Sequence, residues 1–191
     1  ILVQQYIDKE IEYQLIGCSV RNLNGTYNII IPGHTNILRA QPVTNTGFLE
    51  YLSNDDFEYD KDACCRFIES CGYTGLFSLE FLRDKSGNDY FLEINFRNDG
   101  NAYVVTKAGV NLPYIYYLNA IGEDYSDEAN RHIEEQVSMP VIKDFKMVLQ
   151  GKVSFLQWIK DLKRTNCFFY RDKDDPKPMR AYIKELISSR V

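Results

Sequence analysis

Glu93, Asn95 and Arg97 recur at every second residue in the run Phe91-Leu92-Glu93-Ile94-Asn95-Phe96-Arg97. A strand turns successive side chains to opposite faces, so these polar groups share one face and Leu92, Ile94 and Phe96 the other. A second run, Phe77-Ser78-Leu79-Glu80-Phe81-Leu82, lies just upstream, and the link between them, Asp84-Lys85-Ser86-Gly87-Asn88-Asp89, is dense in turn formers. A symmetric turn sets Glu80 opposite Glu93, with Cβ atoms roughly 5 Å apart. Carboxylates that close repel unless a proton or a cation lies between them. Hard oxygen donors from Glu80, Glu93 and the Asn95 amide suit Mg²⁺, with Mn²⁺ as the alternative ion. Arg97, one step further along, can hold phosphate oxygens in its planar fork. The chemistry is that of a metal–nucleotide phosphate site; the competing reading is a solvent-facing hairpin with acidic residues on its wet side.

The surrounding chain supplies elements to hold such a hairpin. Residues 1–7 read as a strand, 11–20 as a second, and Tyr27 to Ile31 as a third after the Asn22-Leu23-Asn24-Gly25 turn. Residues 34–41 read as a fourth strand ending at Pro42, and 43–59 as a polar loop with a short helix. Asp60 to Cys71 is the clearest helix: Asp60 caps its start, Ala63, Cys64, Phe67, Ile68 and Cys71 recur on one face, and Gly72 ends it. After the hairpin come a loop at Asn98-Asp99-Gly100-Asn101, a helical region broken near Gly109 and a Tyr-rich helix from Tyr114 to Ile121. Residues 123–136 read as an acidic loop or helix, 141–165 as two helical stretches with Trp158 as a core anchor, and 179–190 as a terminal helix. Short strands with helices between them imply an α+β fold, a mainly antiparallel sheet packed with helices. We divide the chain into a catalytic unit at 1–122 and a helical extension at 123–191.

The 191 residues suffice for one good-sized domain or two small ones, with 45% hydrophobic and 26% charged residues. A net charge of −5 argues against a nucleic-acid-binding surface, and no apolar run approaches a membrane span. Cys18, Cys64, Cys65, Cys71 and Cys167 include no Cys-x-x-Cys pair and read as core thiols of a reducing compartment, which places the protein in the cytoplasm. Nothing in the chain groups a nucleophile with a base in a Ser-His-Asp or Cys-His pattern.

The order of these parts resembles the ATP-grasp superfamily, on Glu80 in LEFLRD, on Glu93, Asn95 and Arg97 in YFLEINFRNDG, and on the Gly72-Tyr73-Thr74-Gly75 junction before the hairpin. The fold implied is the C-terminal half of an ATP-grasp enzyme. The resemblance also gives meaning to VQQYIDKEIEYQ at the start: it is similar to the family's adenine hinge. By that likeness Gln4 and the Gln5 backbone face the adenine edge, Tyr6 and Ile7 line its pocket, and Glu12 binds the ribose hydroxyls. Many members carry Glu where Gln4 stands, although a Gln carbonyl still accepts from an exocyclic amine.

EINFRNDGNAYVVTKAGVNL looks most like the carboxylate–amine ligase branch, of which D-aspartate ligase is an example. The resemblance implies ATP and Mg²⁺ as cofactors and a ligase joining a small-molecule carboxylate to an amine through an acyl phosphate. Glu80, Glu93 and Asn95 would hold the metal, and Arg97 the transferring phosphoryl group. Arg39 is a candidate second phosphate or carboxylate ligand, and Arg21 a weaker one. The family's strand lysine and glycine-rich phosphate loop are expected in a preceding part of the same protein, so that residues 1–191 alone would be inactive. The alternatives are a carboxylase, a carbamoyl phosphate-type synthetase, or a non-catalytic module that keeps the fold.

Overall fold

Strand β1 (Lys9–Arg21) is the spine of the sheet: polar at its first residues and buried without interruption from Tyr13 to Val20. The computed structural model describes residues 3–40, 47–171 and 174–188, with side chains through Lys184. β1 turns at Asn22–Gly25, where Gly25 takes a positive φ of 85°, into β2 (Tyr27–Ile30), which pairs with its far end. β3 (Gly33–Arg39) pairs with the near end of the same edge, and β4 (Phe48–Ser53) follows it. Helix α1 (Lys61–Ser70) leads into the hairpin of β5 (Gly75–Asp84) and β6 (Asp89–Asn95). Then come α2 (Ala102–Lys107), α3 (Leu112–Ala120), α4 (Ser126–Ala129), β7 (Gln136–Ser138), α5 (Val141–Leu149), α6 (Phe155–Arg164) and α7 (Lys177–Ser188). The seven strands form one sheet in the order β6-β5-β1-β3-β4-β7, with β2 beside β1, and every strand pair is antiparallel.

Alternation along β1 divides the sheet into two buried faces. Ile16, Cys18 and Val20, with Leu49 and Tyr51, pack under α2 and α3 through Val104, Val105, Leu112 and Ile115. Tyr13, Leu15, Phe77 and Leu79 face the other way and meet Cys64 and Ile68 of α1. Each such fully buried aliphatic side chain contributes about 1.5–3 kcal/mol. Asp60 caps α1 by accepting from the Ala63 N–H at 2.8 Å, and Gly72, at φ 62°, lets the chain leave it. Gly17 is required for a different reason: a Cβ there would sit 2.5 Å from the Phe77 ring and 2.6 Å from the Ile30 carbonyl. A third core, Phe48, Met139 and Trp158, seats α5 and α6 against the end of β4.

Several expectations need correction. Residues 3–8 form no strand, and Val3 and Tyr6 are each 85% exposed, because the sheet has no neighbour for them before Lys9. The stretch read as a loop at 43–59 contains β4, whose Phe-Leu-Glu-Tyr-Leu-Ser is hidden among Asn and Asp residues. The acidic segment at 123–136 runs into β7, a strand of three residues that the side-chain pattern is too short to reveal. Cys71 is exposed rather than packed, whereas Cys18, Cys64 and Cys167 are buried, and all five thiols are free. Burial pushes the Cys18 thiol up to about 12. Residues 1–2, 41–46, 172–173 and 189–191, on which parts of those readings fall, lie outside the described residues.

Candidate functional site

The hairpin closes in the register that alternation demands. Glu80 stands directly opposite Glu93, and Ser78 opposite Asn95. A bulge between Glu80 and Phe81 gives β6 an extra residue near Leu92, and β6 resumes its alternation at Glu93. Glu80, Glu93 and Asn95 therefore project from one face. The Asn95 amide donates to Glu80 Oε1 at 3.1 Å and to Glu93 Oε1 at 3.3 Å, so one nitrogen reaches both carboxylates. Glu80 is 8% exposed, while Glu93 lies at the open edge of the sheet.

The same rung continues inward. Gln14 on β1 is opposite Glu80, and its Nε2 donates to Glu80 Oε1 at 3.2 Å. Thr35, Tyr51 and Gln136 extend the row across β3, β4 and β7. Beyond the hairpin, Arg97 donates to Asn95 Oδ1 at 3.3 Å and to the Asn98 carbonyl at 3.2 Å, and lies 3.9 Å from Asp99. Asp99 accepts the Asn101 N–H at 2.8 Å, and the Asn101 amide donates to Gln14 Oε1 at 2.8 Å. Glu80, Asn95, Arg97, Asp99, Asn101 and Gln14 thus form a closed polar circuit.

Glu12 joins this face one rung along, opposite Leu82 and diagonal to Glu80, which puts it about 7 Å away. Its carboxylate is ion-paired with Lys9. Gln4, Gln5 and Tyr6 are exposed and Ile7 half-buried in the segment before β1. Of the hinge residues expected from sequence, Glu12 alone lies on a strand of the sheet.

Arg39 does not join the cluster. Its Nε and Nη2 grip Asp144 at 2.9 and 2.7 Å, and its Nη1 meets Asp161 at 3.0 Å. Those hydrogen bonds to Asp144 hold its guanidinium above the usual arginine range. The ligand role expected for Arg39 gives way to an ion-pair cluster that ties α5 and α6 to β3. Arg21 instead donates to the Gly25 carbonyl in its own turn.

Sequence reasoning missed Gln14, Asp99 and Asn101. Gln14 carried one usable signal, a lone amide in the period-two row that continues through Ile16, Cys18 and Val20. A cavity of about 880 Å³ opens on the opposite face, lined by Asn54, Phe57, Tyr59, Arg83 and Asp89, and includes none of the carboxylate cluster. No group of three or more His, Cys, Asp or Glu side chains among the described residues is gathered to hold a metal. The available donor set is two carboxylates and an amide. That set fits Mg²⁺, which keeps several waters and takes only one or two carboxylates beside substrate phosphates. No helix among the described residues is long and apolar enough to cross a membrane.

No curated protein matches the sequence. Among solved structures, the chain is similar to the biotin carboxylase domain of Hydrogenobacter thermophilus 2-oxoglutarate carboxylase, solved with MgADP, ADP and bicarbonate. The TM-score is 0.55 at 23% identity, over 69% of this chain and 30% of that one. The phosphoribosylaminoimidazole carboxylase ATPase subunit from Aquifex aeolicus matches with a TM-score of 0.51 at 15% identity, over 64% of this chain and 36% of that one. The biotin carboxylase subunit of pyruvate carboxylase gives 0.51 at 19%, over 62% and 26%. These likenesses show the fold, and the chain spans about a third or less of the length of each of the first structures matched. A family model described as "ATP-grasp in the biosynthetic pathway with Ter operon" matches residues 35–145, from β3 through the hairpin and α3 to α5. With more than half of its residues covered by that model, the chain belongs to the ATP-grasp family.

Proposed function

We propose that this chain is the metal- and phosphate-holding part of an ATP-dependent carboxylate–amine ligase. One observation carries the reading: Glu80 and Glu93 share a face of the sheet so closely that a single Asn95 nitrogen bonds both. A merely solvated hairpin has no use for facing carboxylates, one of them nearly buried. MgADP accompanies the H. thermophilus domain of the same fold, and we carry the nucleotide and the divalent ion to this chain, with Mn²⁺ as a substitute. Glu80 and Glu93 would hold the ion through carboxylate oxygens, and Asn95 through its amide carbonyl once the amide turns over, since its nitrogen now faces both carboxylates. When bound, the ion supplies neutralisation of the charge on the ATP phosphates.

The residues of the chain do the rest by position. Arg97, half-anchored through Asn95 and the Asn98 carbonyl, keeps a largely exposed guanidinium beside the carboxylates. It would hold oxygens of the γ-phosphoryl group as the substrate carboxylate attacks phosphorus and the bond to ADP breaks. The amine then attacks the acyl carbon, inorganic phosphate leaves, and the amine loses a proton as the amide forms. Arg97 would stabilise the charge on the departing phosphate. No protein nucleophile is needed, because ATP supplies the activation. Glu12 would take the ribose hydroxyls, with residues 4–7 at the adenine. We place the substrates among small carboxylic acids and amines, and the completing elements in another part of the same protein.

The test uses the full-length protein with ATP and Mg²⁺, supplied with candidate acids, and hydroxylamine to trap an acyl phosphate. Acid-dependent hydroxamate and ADP release, lost in Glu93→Gln, are the expected result. ADP release dependent on bicarbonate with no hydroxamate would move the enzyme to the carboxylases. No nucleotide turnover with any acid or with bicarbonate would leave a non-catalytic module.

A further inference from the structure

We infer that Gln14 and Asn101 are positioning residues that aim Glu80 at the metal, an inference that rests on the metal–phosphate reading above. Gln14 is 2% exposed and Asn101 1%, and neither lies within the hairpin. The direction of the chain linking them is dictated by chemistry. Asn101 donates its Nδ2 hydrogen to Gln14 Oε1, which obliges Gln14 to present its own N–H to Glu80 Oε1. An amide turned the other way would set a carbonyl oxygen against a carboxylate oxygen. Glu80 Oε1 thereby receives two amide N–H groups, from β1 and from β6, and its plane is held from both sides.

Asn101 makes this link at the expense of one of its own groups. Its Oδ1 is buried without a hydrogen-bond partner, which costs stability. An apolar residue at that position would spare Oδ1 but leave Gln14 Oε1 buried without this donor. The backbone of Asn101 is meanwhile fixed by Asp99, whose carboxylate also lies 3.9 Å from Arg97. One loop therefore orients a metal-facing carboxylate through Gln14 and flanks the phosphate-facing arginine through Asp99. Outer partners of metal ligands typically change affinity by about 10–100-fold when removed.

The experiment measures Mn²⁺ affinity of the full-length protein by calorimetry or by the electron paramagnetic resonance of free Mn²⁺, with thermal unfolding in parallel. Gln14→Met and Asn101→Leu are each expected to weaken Mn²⁺ binding about tenfold. The double variant is expected to match Gln14→Met alone, because Asn101 acts through Gln14. Asn101→Leu should unfold earlier than the parent, because Gln14 Oε1 loses its donor, and the double variant, which removes both partners, should recover part of that loss. Ser19→Ala, which removes a part-buried 2.8 Å hydrogen bond to the Tyr73 carbonyl, should lower stability and leave Mn²⁺ affinity unchanged. Parent-like Mn²⁺ affinity in Asn101→Leu, or additive losses in the double variant, overturns the positioning role alone. No Mn²⁺ binding by the full-length parent overturns the site reading and the positioning role with it.

Discussion

Two regions of this molecule set arginine beside a pair of carboxylates, and they behave as opposites. Around Arg39 the account is closed: the guanidinium is 16% exposed, Asp144 0% and Asp161 3%, and the fork meets both aspartates at ordinary hydrogen-bond distances. Around Arg97 it is open: that side chain is 61% exposed and stands 3.9 Å from Asp99, with Glu80 and Glu93 bound to an amide of Asn95. Residue types do not separate the two clusters. What separates them is that every charge in the first has its partner inside the fold, whereas the second leaves a largely exposed arginine beside carboxylates on a face of the sheet. The first joins helices α5 and α6 to β3, and the second is the one we propose receives a ligand.

The largest expected effect lies on the closed side. Arg39→Met strips the buried aspartates of their counter-ion and should cost about 3–5 kcal/mol in urea unfolding. The Mn²⁺ affinity of the molecules that remain folded should equal the parent's. A loss below about 1 kcal/mol would erase the distinction. Glu93→Gln inverts the pattern: Mn²⁺ binding should weaken by roughly tenfold or more, with unfolding at or above the parent midpoint because two facing carboxylates become one. If the variant instead unfolds early and binds the ion normally, the open cluster is structural as well.

Smaller effects on the opposite face sharpen the contrast. Asp60→Ala removes the cap of α1 and should cost about 1 kcal/mol, with metal binding unchanged. His34 is stacked on Phe57 at 3.7 Å, and burial lowers its pKa below the ordinary value of 6.5, against a raising hydrogen bond to the Asn54 side-chain carbonyl. The unfolded chain therefore takes up a proton before the folded one. Stability from this group is complete above pH ~6.5 and is lost as the pH falls from there toward the folded value. His34→Gln should flatten that part of the stability–pH curve, which urea midpoints between pH 7.5 and 5.5 would reveal. An unchanged slope would mean that His34 does not titrate there.

The hairpin was legible because its determinants are local. Alternation, a turn of Asp, Gly and Asn, and opposed glutamates all lie within Phe77–Arg97, and no distant partner was needed to set their register. The capped helix α1 was legible for the same reason. Residues 3–7 misled because strand-forming side chains make no strand without a neighbouring edge. β4 and β7 were lost because they are short and gain their strand character from β3 and from each other. Arg39 could be placed near the sheet but not paired, since its aspartates lie more than a hundred residues away. Gln14 and Asn101 were invisible as a unit because only the fold brings the loop after β6 against β1.

The central claim is that one divalent ion binds between Glu80 and Glu93. Crystals of the full-length protein grown with MnADP, with anomalous scattering recorded at the manganese edge, address it directly. The account predicts an anomalous peak within about 2.0–2.3 Å of oxygens from both glutamates, absent in Glu93→Gln. Manganese bound elsewhere on the chain, or no peak at a hairpin whose carboxylates keep their bonds to Asn95, would contradict it.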